Sequence, residues 1–107
     1  MSLDVSLMVT QPTEVFTQNI THNLNTMAEK AGIYKALWRP EELGITKAKQ
    51  LISPLGQGLG KLKASPEDYS RYAPDNGWGT YDGLVKFVEK YLQACIDNPE
   101  ATIEVCR

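Results

Sequence analysis

Residues 4–10 (DVSLMVT) alternate, with Val5, Leu7 and Val9 on one side and Ser6, Met8 and Thr10 on the other. That period of two predicts a strand. Gln11-Pro12-Thr13 is a turn signal, and Glu14 to Gln18 reads as a second β-favouring stretch, so a hairpin is expected over residues 4–18. The closing residues 101–107 (ATIEVCR) alternate again through Ile103 and Val105. Between these ends the apolar spacing changes to three and four. Leu24, Met27, Ala28, Ala31, Tyr34 and Leu37 form one wide stripe behind a capping Thr21, and Trp38-Arg39-Pro40 ends it. Gly32 falls inside that stripe, where close packing is expected.

Ala48, Leu51, Ile52, Leu55, Leu59 and Leu62 make a second stripe after Thr46, interrupted at Pro54, where the helix either restarts behind Ser53 or kinks. Gly56, Gly58 and Gly60 alternate with that leucine stripe and lack the strand, the Lys-Ser or Lys-Thr step and the helix start of a phosphate loop, so close helix packing is the preferred interpretation. Ser65-Pro66-Glu67-Asp68 opens a short helix that ends by Pro74. Thr80 caps a last helix with Leu84, Val88, Tyr91, Leu92 and Cys95 on its buried side, stopped by Asp97-Asn98-Pro99. Two or three strands are marginal alone. The expected fold is therefore α+β in one domain, residues 1–107: a small two- or three-stranded antiparallel sheet, N-terminal hairpin plus C-terminal strand, packed against three to four helices.

Composition narrows the function classes. A chain of 107 residues with 42% hydrophobic positions supports one modest core. A formal net charge of -2 gives no general attraction for nucleic acid or anionic membrane. No apolar run approaches the roughly 18–20 residues of a membrane span, and the N-terminus lacks the basic-then-apolar pattern of a secretion signal. Cys95 and Cys106 sit in a helix stripe and a terminal strand, which suits reduced structural thiols and a cytoplasmic setting.

Two segments concentrate polar groups beside aromatic ones at helix starts. Asn76-Gly77-Trp78-Gly79-Thr80-Tyr81 holds an indole between glycines, and Asn19-Ile20-Thr21-His22-Asn23 carries the chain's one histidine. The expected ligand-binding set is Asn19, His22 and Asn23 on one wall of a pocket and Asn76, Trp78 and Tyr81 on the other. Catalytic signals are weak. One histidine without a nearby nucleophile gives no triad, and scattered carboxylates give a poor metal site, so no catalytic residue, metal or cofactor is assigned. Asp75 with Glu14 or Glu29 could make an acid–base pair, but no spacing demands it.

The segments NITHNL…MAEKAGIYKALWRPEE, NGWGTY and ATIEVCR resemble a family of small bacterial and bacteriophage proteins with no assigned activity, over about Asn19 to Arg107. The resemblance implies a bacterial or viral source and an intracellular setting, and it transfers no functional residue. The residues point first to a non-catalytic binding protein whose ligand is small, polar and partly planar, a nucleotide-like molecule being one candidate. A protein–protein adaptor or inhibitor using Trp38, Tyr69, Tyr72 or Trp78 is the alternative, followed by a small hydrolase or transferase using His22. Open strand edges also allow a homo-oligomer.

Overall fold

The computed structural model describes residues 2–9, 14–74 and 79–107. The expected turn at Gln11-Pro12-Thr13, the expected site residues Asn76 and Trp78, and Asp75 lie outside them. Three strands form one antiparallel sheet: β1 (Ser2–Met8), β2 (Glu14–Thr21) and β3 (Thr102–Cys106), in the order β2-β1-β3. Val5 stands opposite both Gln18 and Val105, and Leu7 opposite Phe16 and Ile103. Residues paired across strands share a face. One face therefore carries Leu3, Val5 and Leu7, all fully buried, and the other carries Asp4, Thr17, Asn19, Glu104 and Cys106, all exposed. The helices cover the first face only, which is the α+β arrangement the alternation predicts.

The hairpin is longer than expected, because β2 runs on to Thr21. Gln18 obscured this. It occupies an inward position where an apolar residue would keep the alternation, and its side-chain amide donates to the Phe87 carbonyl at 3.0 Å. Ile20, opposite Leu3, resumes the buried side.

The single first helix expected from the stripe is broken into three pieces. A 3-10 turn spans His22–Leu24, then α1 (Asn25–Lys30) and α2 (Tyr34–Trp38) follow. Gly32 adopts φ +79 between them, a left-handed angle that glycine takes without a Cβ penalty. The Ile33 amide donates to the Ala28 carbonyl at 2.9 Å and the Gly32 amide to Glu29 at 3.0 Å, the paired bonds of a Schellman cap. The stripe looks continuous in sequence because Ala28, Ala31, Ile33 and Leu37 all enter the same core on either side of the break. Gly32 is thus a helix stop rather than a packing point.

Pro54 neither restarts nor interrupts a helix. α3 (Ile52–Ala64) begins two residues before it, so Pro54 sits in the first turn, where a missing amide hydrogen costs nothing. A short α4 (Pro66–Ser70) follows, and α5 (Tyr81–Asp97) closes the layer. Thr80 caps α5, its hydroxyl accepting from the Gly83 amide at 2.9 Å. Leu84, Phe87, Val88, Tyr91 and Cys95 bury the inner side of α5, with Tyr91 stacked on Phe16 of β2 at 5.9 Å. Both cysteines are free, Cys95 buried and Cys106 exposed. Among the described residues no helix is long and apolar enough to cross a membrane.

Candidate functional site

Among the described residues β2 pairs with β1 alone, leaving its other edge open beside α5. The two elements are held together by the Gln18–Phe87 hydrogen bond and at one end by Gly79. Gly79 has φ +116, and a Cβ there would lie 2.8 Å from Leu24 Cγ and 2.9 Å from Thr21 Cγ2. The backbone at Gly79 is therefore seated directly on the residues that begin the first 3-10 turn. Gly79 of the second segment thus meets Thr21 of the first.

Between them runs an open cleft of about 410 Å³. Asn19 and Thr21 form its β2 wall. Thr80, Gly83, Lys86 and Lys90 form the α5 wall, and Ile20, Leu24 and Phe87 supply apolar surface at its base. These groups offer hydroxyl and ammonium donors above a floor of buried apolar side chains. A second hollow, about 380 Å³ on the outer sheet face, is lined by Asp4, Ser6, Glu104, Val105 and Cys106. The first is cationic and the second anionic, so they select opposite ligands.

Of the expected site residues, Asn19 lines the cleft. His22 is turned away from it, its ring edge-on to Trp38 at 6.0 Å and 63°. His22 Nε2 and Trp38 Nε1 are both buried without a hydrogen-bond partner among the described residues. Asn23 is exposed, and its amide donates to Thr21 Oγ1 at 3.2 Å. Tyr81 serves the scaffold: its hydroxyl donates to the Leu62 carbonyl, tying the start of α5 to the end of α3. Burial, with Asp82 nearby, pushes the Tyr81 hydroxyl above its ordinary pKa. The imidazole and the Tyr81 ring thus do not share the cleft with Asn19.

The spacing does not mark Thr80, Lys86, Phe87 and Lys90, which also line the cleft: Thr80 has the pattern of a helix cap, and Phe87 belongs to no stripe expected from the sequence. Lys86 and Lys90 stand four apart on the polar side of α5, a pattern indistinguishable in sequence from a solvated helix face. Among the described residues no three His, Cys, Asp or Glu side chains converge to hold a metal ion. No protein-family model, curated protein or solved structure matches this chain.

Proposed function

We propose that the protein is a non-catalytic binding domain that sequesters a small, polar, partly planar molecule, nucleotide-like in chemistry, in the cleft between β2 and α5. One observation carries this: Gly79, just before α5, packs against Thr21 and Leu24, and a cleft of about 410 Å³ opens where they meet. That volume lies within the roughly 300–1,000 Å³ typical of small-molecule sites. Leu24 and Phe87 close the floor of the cleft, and Thr21 and Thr80 would read polar edges. The setting proposed is the bacterial cytoplasm, or the host's cytoplasm for a phage-encoded chain.

Native mass spectrometry of freshly purified protein and a thermal-shift panel of nucleosides and nucleotides test this. A ligand at saturating concentration, on the order of 100 Kd, should stabilise the fold by about 2.7 kcal/mol. Gly83→Leu, which fills the α5 wall, should abolish that shift. A nucleotide shift that survives Gly83→Leu would place binding elsewhere.

A second interpretation, an adaptor that captures an extended segment of another protein, is favoured by one feature. The cleft follows the open edge of β2, where a strand could add through main-chain hydrogen bonds.

A further inference from the structure

We propose that the molecule held between β2 and α5 carries a phosphate or pyrophosphate group, and that Lys86 and Lys90 are the residues that clamp it; this rests on the cleft being the binding site. The two lysines are spaced i,i+4 on α5, so their side chains emerge on one face, one turn apart. Both line the cleft and both are exposed. Like charges at that spacing repel, and a neighbouring acid normally relieves the repulsion. Here none does: Lys86 and Lys90, like Lys30, Lys47 and Lys61, reach no carboxylate among the described residues, but Lys30 lies over the Tyr72 ring and Lys47 donates to the Glu100 carbonyl and Thr102. This cationic pair stands on a chain whose formal net charge is -2, so it is a local feature rather than part of a generally basic surface.

The neighbouring groups complete the match. The Thr80 hydroxyl accepts from the Gly83 amide, which leaves its own proton free to donate into the cleft. β2 residues Gln18 to Thr21 line the facing wall, with the Asn19 side chain on the outer face of the sheet. Two ammonium groups with a hydroxyl suit an anion with several oxygens and more than one charge better than a single carboxylate, which one lysine would satisfy. Ile20, Leu24 and Phe87, all buried, close the floor behind these groups.

Titration calorimetry with adenosine, AMP, ADP and inorganic pyrophosphate, on the wild-type chain and on Lys86→Gln, Lys90→Gln, Lys86→Arg and Gly83→Leu, tests the clamp. The phosphorylated probes should bind at least about tenfold tighter than adenosine and weaken as salt rises. Each Gln variant should lose about tenfold for the phosphorylated probes with adenosine unchanged, Lys86→Arg should retain most of the affinity, and Gly83→Leu should abolish all binding. Far-UV circular dichroism confirms that each variant folds. Adenosine binding as tightly as ADP, or Gln variants binding ADP like the wild type, would overturn the clamp and leave the cleft standing. Phosphorylated probes that bind equally well to Gly83→Leu would remove the cleft itself. A chain that ignores every probe but binds an acidic extended peptide would also refute the proposal, and would make the lysines guards of the open strand edge.

Discussion

At the scale of single residues, three glycines of one helix separate close contact from open space. Gly56, Gly58 and Gly60 all lie within α3, where Ala would be more helix-favouring by about 0.5–1 kcal/mol. A Cβ on Gly56 or Gly60 meets nothing within 4 Å. On Gly58 it would stand 2.0 Å from Ile33 Cγ2 and 3.3 Å from Ile33 Cβ. Ile33 is a β-branched core residue just past the Gly32 cap, with little freedom to move. Gly56→Ala and Gly60→Ala should therefore raise the urea midpoint, each worth up to about 1 kcal/mol. Gly58→Ala should lower it, by about 1–3 kcal/mol, since overpacking outweighs the helical gain. The packing role foreseen for the glycine run thus belongs to Gly58 alone. Spacing could not distinguish it from its neighbours, because what decides is a side chain 25 positions away in sequence.

Whole elements were legible where periodicity and capping agreed. α5 is the clearest case, with Thr80 at its start, Asn98 at its end and an uninterrupted buried side. β1 and β3 follow from their alternation. Legibility failed where one residue broke a pattern without breaking the element, as Gln18 does in β2, or broke the element without breaking the pattern, as Gly32 does between α1 and α2. The buried side of α5 also sets how stability responds to alkali. Burial pushes the Cys95 thiol up to about 12. Burial, with Cys95 beside it, drives the Tyr91 hydroxyl above its ordinary range, and that hydroxyl has no hydrogen-bond partner among the described residues. The folded chain keeps protons that the unfolded chain releases, from roughly pH 8.5 for Cys and 10 for Tyr. This contribution is therefore complete below those values and declines as pH rises, by up to about 1.4 kcal/mol per pH unit for each group. Thermal midpoints measured from pH 7 to 10.5 should fall progressively above about pH 8.5. Tyr91→Phe should flatten the fall above about pH 10 and, by deleting an unpartnered buried hydroxyl, stabilise the fold at neutral pH by about 1 kcal/mol.

For the whole molecule, the two edges of the sheet differ. Beyond β3, the Ile103 amide donates to the Thr46 carbonyl and the Ala48 amide to Ala101, both at 2.9 Å, so a neighbouring segment of the same chain covers part of that edge. β1 is paired on both sides, whereas among the described residues β2 is paired on one. Self-association through strands, allowed by the alternating pattern, therefore has β2 as its more open route, beside the exposed Lys86 and Lys90. Charged residues at an edge discourage such pairing. Hydrogen exchange reads this asymmetry directly. In the free protein the amides of β1 should be the slowest of the sheet, while those N–H groups of β2 that point away from β1 exchange fast. Those same fast amides distinguish a small ligand from an added strand. A nucleotide held by the side chains of Thr80, Lys86 and Lys90 leaves the β2 main chain unbonded, so saturation with ADP should leave the outward amides of residues 16–21 fast. A peptide that extends the sheet must hydrogen-bond to them, and would slow them as a set while leaving β1 unchanged.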